Sequence, residues 1–146
     1  MKRSVLVGEY EFTLDVKSRV AIPARLRHAF VDGIFVTRGY ERCISGYAPA
    51  EWERFVAEQI QSTPEMSSKG RMLRRRTLAS ANLLELDAQG RIKLPSSLLE
   101  YASIVRDVTI IGVEDRIEFW DRNRWAQYLK QSEEEADAAA DELATP

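Results

Sequence analysis

The stretch Leu14-Asp15-Val16-Lys17-Ser18-Arg19-Val20-Ala21-Ile22-Pro23 returns 72 residues later as Leu86-Asp87-Ala88-Gln89-Gly90-Arg91-Ile92-Lys93-Leu94-Pro95. Leucine, aspartate, arginine and proline recur at one offset, with aliphatic residues between arginine and proline. After the turn, Val20 and Ile22 point one way and Arg19 the other. Ile92 and Leu94 likewise oppose Arg91 and Lys93, which is the period of a strand with one buried face. Asp15–Ser18 and Asp87–Gly90 read as turns, because an aspartate side chain bonds nearby backbone amides. Pro23 and Pro95 stop each strand and open a short helix, where the missing N–H costs nothing. Leu26 with Phe30, and Leu98 with Ala102, give each short helix an apolar i, i+4 pair.

The repeat extends outward from this core. Alternating Tyr10, Phe12 and Leu14 form the entering strand of copy one, and Leu84 and Leu86 that of copy two. Beyond a one-residue insertion, Gly39, Glu41, Ile44 and Trp52 correspond to Gly112, Glu114, Ile117 and Trp125. Strands are expected at about 34–38, 43–47, 107–111 and 116–120, with Gly39 and Gly112 opening the tight turns between them. Each copy closes on an amphipathic helix. One begins near Pro49 and carries Trp52, Phe55 and Val56. The other begins at Asp121, a good N-cap, and carries Trp125, Tyr128 and Leu129. A half of roughly 45–50 residues with four short strands cannot easily bury its own core. The two halves are therefore expected to complete each other by interleaving hairpins. The expected fold is α+β, a pseudo-two-fold swapped-hairpin (double-split) β-barrel of two tandem ββαββα repeats with flanking helices. Within a single domain, 1–146, repeat one is placed at 7–62, a basic connecting helix at 63–79 and repeat two at 80–131. Residues 132–146 are read as an acidic, disordered tail.

Composition agrees with one globular domain: 146 residues, 45% apolar and 30% charged. A single cysteine, Cys43, excludes an internal disulfide. With the single histidine, His28, it cannot assemble a zinc cluster or a metal triad. No apolar run is long enough to span a membrane, and the apolar stretch after Lys2 and Arg3 is too short for a signal peptide. The expectation is a soluble, intracellular protein. No Ser/His/Asp, Cys/His or phosphate-cradling glycine pattern is present. His28 reads as solvent-facing or as a cap, so no catalytic residue, metal ligand or cofactor is assigned. The formal net charge of −2 conceals a segregation. Six of the 23 acids, and none of the 21 bases, lie in 132–146, which leaves the body at +4. The tail is a frayed end or a competitor for the basic surface. A second run, Lys69, Arg71, Arg74, Arg75 and Arg76, is a solvated helix face, a phosphate contact or a pairing surface for an acidic neighbouring subunit.

Gly8-Glu9-Tyr10-Glu11-Phe12-Thr13-Leu14-Asp15, the paired Asp-x-x-x-Arg motifs with their prolines, Thr37-Arg38-Gly39, Ile111-Gly112-Val113 and the tryptophan-bearing helices together resemble the MraZ family over about residues 7–130. The resemblance implies a bacterial transcriptional regulator of the AbrB-like class. Such proteins build swapped-hairpin barrels, close into homo-oligomeric rings and bind repeated boxes ahead of their own operon, the cell-division and cell-wall gene cluster. The implied partners are double-stranded promoter DNA and further copies of the chain, with no membrane and no small-molecule substrate. The implied location is the cytoplasm, at the nucleoid. The alternative is an AbrB-like or antitoxin-type oligomeric interaction protein without enzymatic activity. The family's motif arginine maps onto Arg19 and Arg91, and the first-copy one is associated with DNA contact. The family's glycine before that arginine is kept as Gly90 but replaced by Ser18. A positive φ there would cost serine about 1 kcal/mol.

The candidate DNA-binding residues are Lys17, Arg19, Arg25, Arg27, Arg91 and Lys93, with Asp15 and Asp87 as turn-orienting groups. Arginine neutralises phosphate or bonds guanine bidentately, and a two-stranded ribbon fits the major groove. An Asp15–Arg19 ion pair that only ties the turn stands beside this reading, and more strongly for Asp87–Arg91. Residues 15–28 carry a net +3 and residues 87–100 a net of zero. Arg25 and Arg27 of copy one are matched by Ser97 and Leu99, so copy one is expected to face DNA.

Overall fold

A computed structural model describes residues 5–144; the cationic start at Lys2 and Arg3, and Thr145-Pro146, lie outside the described residues. Copy one supplies β1 (Glu9–Thr13), β2 (Arg19–Ala21), β3 (Ile34–Arg38), β4 (Ile44–Tyr47) and helix α1 (Pro49–Phe55), which runs on as a π-helical turn over Val56–Ile60. Helix α2 (Ser68–Ala79) connects the copies, its first turn capped by the Ser67 hydroxyl, which accepts from Gly70 N–H at 2.9 Å. Copy two supplies β5 (Asn82–Leu84), β6 (Arg91–Lys93), α3 (Ser96–Ala102), β7 (Asp107–Gly112), β8 (Ile117–Asp121) and α4 (Arg122–Ala144).

The strands are traded between copies. One antiparallel sheet has the order β1-β7-β8-β4-β3-β5, and a separate ribbon pairs β2 with β6. Exchanging equivalent strands of the two copies leaves that order unchanged. Each entering strand pairs only with the other copy: Tyr10 faces Ile110, and Leu84 faces Ile34. The interleaving expected from half-size cores is thus present in the ladders. The ladders do not close, however. β1 and β5 are edges of an open six-stranded sheet, and the ribbon pairs with neither.

Both copies line one core. Phe30, Ile22, Val20, Ile34, Val36 and Ile44 of copy one meet Ile92, Leu94, Leu98, Ile110, Ile117 and Phe119 of copy two, all essentially inaccessible. The alternation of β2 and β6 makes this possible, because Val20 and Ile92 sit opposite each other on the inner face of the ribbon. A smaller cluster joins Cys43, Ile111 and Trp120, with Val113 and Trp125 against it.

Two local expectations are corrected. The short helix after Pro23 is a 3₁₀ turn, Arg27–Phe30, because Leu26, Arg27 and Ala29 each donate to the carbonyl three residues back. Copy two forms an α-helix at the matching place, and its apolar residues Leu98, Leu99 and Ala102 are buried along one side. The disordered tail is replaced by helix. α4 continues from Arg122 to Ala144 without burying any residue. Trp125 and Tyr128 anchor its first turns on Trp120; over 132–144, where nothing is buried, alanine and glutamate dominate and their backbone propensity sustains the helix.

Candidate nucleic-acid interface

The two repeated turns are built by their aspartates. Asp15 Oδ1 accepts from the backbone N–H of Lys17 at 2.8 Å and of Arg19 at 2.9 Å, and its Oδ2 accepts from Arg19 Nε at 2.7 Å. Asp87 does the same with Gln89 N–H, Arg91 N–H and Arg91 Nε, each at 2.9 Å. The turns close with Ser18 N–H donating to Asp15 O at 3.0 Å and Gly90 N–H to Asp87 O at 2.9 Å. Both turns need a left-handed residue, with φ of 60° at Ser18 and 76° at Gly90. The serine substitution therefore keeps the turn shape. The backbone N–H of Arg19, with its guanidinium, holds the Asp15 carboxyl down to about 2; the Arg91 N–H and guanidinium likewise lower Asp87.

The turns feed the β2–β6 ribbon, in which Arg19 lies opposite Lys93 and Ala21 opposite Arg91. Each turn also reaches across the pseudo-axis. Ile22 N–H donates to Gly90 O at 2.9 Å, and Leu94 N–H to Ser18 O at 3.1 Å. With Val20 and Ile92 turned inward, Arg19, Arg91 and Lys93 share the outer face, and exposed Lys17 flanks it on the first turn. Arg91 Nη1 additionally lies 3.8 Å from Asp15 Oδ2, so Asp15 holds arginines from both copies. Four cations against two carboxylates leave this small ribbon and its turns positive. Among the described residues, the Lys17 and Lys93 side chains have no ion-pair partner.

Arg25 is exposed in the segment that follows β2. Arg27 is not free in the same way. Its Nη2 and Nε donate to Ile22 O at 2.8 and 3.3 Å, and the side chain crosses directly over Gly90. A β-carbon at Gly90 would lie 2.2 Å from Arg27 Nε. Arg27 thus clamps the second turn as well as adding charge. In copy two the matching Leu99 is buried and Ser97 exposed.

The mid-chain basic run separates into individual roles. Arg71 Nη1 donates to Glu65 O at 2.8 Å and Arg74 Nη1 to Ile60 O at 3.0 Å, tying α2 to the loop before it. Arg76 Nη2 donates to Gly39 O at 2.8 Å and also meets the Tyr101 hydroxyl. Sequence reasoning gave Tyr101 no role, yet Arg38, Arg42 and Arg76 all lie over its ring. Nothing in the sequence signals that convergence, because the residues come from β3, the β3–β4 turn, α2 and α3.

A tandem-repeat α+β protein with exchanged strands and a cationic two-copy ribbon at their joint is the class that this fold and site define. The model of the family described as "MraZ protein, putative antitoxin-like" matches the chain twice in tandem, over residues 5–76 and 77–145. The chain belongs to the MraZ family. The two matched units meet within α2, between residues 76 and 77.

Proposed function

We propose that this protein is a sequence-specific DNA-binding transcriptional regulator that reads DNA with the β2–β6 ribbon. Family membership points to a regulatory, DNA-binding role in a family of non-enzymatic type. The observation that carries the finer reading is the ribbon's outer face, where the two copies together present Arg19, Arg91 and Lys93 beside turns held rigid by Asp15 and Asp87. A two-stranded ribbon enters a major groove, and pre-ordered arginines lose less entropy on contact. Lys17 and Arg25 supply phosphate contacts at its edges, with Arg27 contributing charge from its clamped position. We read the interleaved ladders as a swapped-hairpin, double-split β-barrel, divided as 7–62, 63–79 and 80–131. The family resemblance extends the proposal to repeated promoter boxes of the cell-division and cell-wall cluster, bound at the nucleoid by a ring of copies. Half-exposed Tyr128 and Leu129 on α4 supply apolar surface for such self-association. No helix of the described residues is long and apolar enough to cross a membrane.

The antitoxin-like wording of the family description favours a second reading, an oligomeric protein partner without DNA specificity. Affinity for the gene's upstream fragment and for a scrambled copy, measured across a salt series, separates the two. The regulator prefers the native fragment, and each phosphate contact adds about −0.9 to the slope of log K against log salt. Equal affinity for both fragments removes the proposal.

A further inference from the structure

We propose that a cleft between the end of β3, the C-terminal part of α2 and the start of α3, lined by Arg38, Arg75, Arg76, Ala79, Ser80 and Ser97, is a binding site for a phosphate group. Its volume is about 360 Å³, and no carboxylate lines it. Arg38 and Arg76 converge on Tyr101, with guanidinium carbons 5.3 and 5.2 Å from the ring centre, and Arg42 approaches the same ring to 5.6 Å. A ring face holds a cation but supplies no counter-charge. Among the described residues none of Arg38, Arg42, Arg75 and Arg76 makes an ion pair. Arg38 Nε is buried without any hydrogen-bond partner. Arg122 Nε is also buried without a hydrogen bond but has Glu11 at 3.7 Å, whereas among the described residues Arg38 has no ion-pair partner.

Some of the cleft is already committed. Arg76 is spent on Gly39 O, and the Ser80 hydroxyl is engaged with Thr37, Thr77 and the Arg38 N–H. The open donors are the exposed Arg75 guanidinium and the Ser97 hydroxyl, while Arg38, its Nε sealed from solvent, adds uncompensated positive charge to the wall of the cleft. A guanidinium fork matches a tetrahedral oxyanion, and a phosphate's charge of about −1.5 to −2 suits several arginines better than one carboxylate does. The fold does not require the cluster. The positions matching Arg38 and Arg42 in copy two are Ile111, which is buried, and Asp115, which pairs with Arg116. The charge concentration therefore exists on one half only, and it stands independently of the ribbon's role.

The phosphate can come from a free phosphorylated molecule or from a DNA backbone. Calorimetric titration of the full chain with pyrophosphate at fixed ionic strength, and in parallel with a short duplex, distinguishes them. Arg75→Ala is the test variant, since that side chain is exposed and makes no hydrogen bond or ion pair among the described residues. Lys69→Ala, an exposed cation on the same helix, is the comparison. Pyrophosphate is expected to bind the wild type, about tenfold more weakly after Arg75→Ala, and unchanged after Lys69→Ala. A backbone source is indicated if the duplex also weakens with Arg75→Ala and is displaced by pyrophosphate. A free ligand is indicated if duplex affinity stays constant while pyrophosphate affinity falls. The pyrophosphate arm reads the cleft even if the duplex shows no specific binding. The proposal is overturned if pyrophosphate does not bind, if Lys69→Ala loses as much as Arg75→Ala, or if Arg75→Ala changes only the oligomeric mass, which would assign the cleft to a second copy of the chain.

Discussion

The turn at Asp15–Arg19 and the turn at Asp87–Arg91 make the same four hydrogen bonds and a fifth, from the aspartate N–H to the arginine carbonyl at 2.9 Å, yet they are not equivalent. The second lies beneath a clamp from the first copy, where Arg27 crosses Gly90 and bonds Ile22 O. Copy two returns no such clamp, because Leu99 at the matching place is buried. The carboxylates differ as well, since Asp15 holds Arg19 and also approaches Arg91. Duplication has therefore preserved the backbone device and divided the chemistry. One turn organises both copies, and the other depends on being organised.

The sharpest test of that division is DNA affinity. Arg19→Ala is expected to cost about 1–3 kcal/mol in specific binding if the side chain reads a base, and Arg91→Ala less. Arg25→Ala should weaken all sequences alike and lower the salt slope by about one. Loss of binding with Arg91→Ala alone, in an intact oligomer, would reverse the assignment of halves.

Stability separates the turns next. Gly90→Ala forces a β-carbon into a left-handed backbone and displaces the Arg27 clamp, an expected loss of about 2 kcal/mol in urea unfolding. Ser18→Gly relieves the same backbone at the other turn and should stabilise by up to about 1 kcal/mol. Adding Arg27→Ala to Gly90→Ala should cost less than the sum of the single changes, because the clamp is already lost.

Acid gives a smaller contrast. A carboxylate whose pKa is lowered by folding contributes stability above its ordinary value of about 4, and that contribution disappears as pH falls toward the folded value. For Asp15 the folded value is about 2, so melting temperature should drop between about pH 4 and pH 2. Asp15→Asn should flatten that drop more than Asp87→Asn, since Asp15 serves two arginines. Equal flattening by both would show that the contact to Arg91 adds nothing. Deleting residues 132–146 should have the smallest effect on the fold, moving the melting temperature by no more than about 2 °C, because that part of α4 buries nothing. DNA binding should tighten as the negative charge leaves.

What could be read from the sequence follows from how local the determinant is. The strands and turns around Asp15 and Asp87 were legible because alternation and aspartate chemistry act within ten residues, and the second copy repeats the signal. The exchange of strands was legible by size alone, as neither half could enclose Phe30 or Phe119 unaided. The helix at 132–144 was misread because its charge and lack of an apolar face outweighed the helix preference of Ala138-Ala139-Ala140 and its neighbours. The Arg27 clamp was illegible, since its reason lies in the missing side chain of Gly90. Convergence of Arg38, Arg42 and Arg76 on Tyr101 was illegible for the same cause, a meeting of segments far apart in the chain.

The pairing of Glu9 with Ile111 also sets a timetable for the newborn protein. β1 has no ladder partner until β7 has been synthesised, and β2 none until β6 has. During translation β3 and β4 can pair with each other, while β1 and β2 have no strand partner until copy two emerges. Long-range closure of this interleaved topology is expected to be slower than formation of the local β3–β4 hairpin, because its loops are far longer.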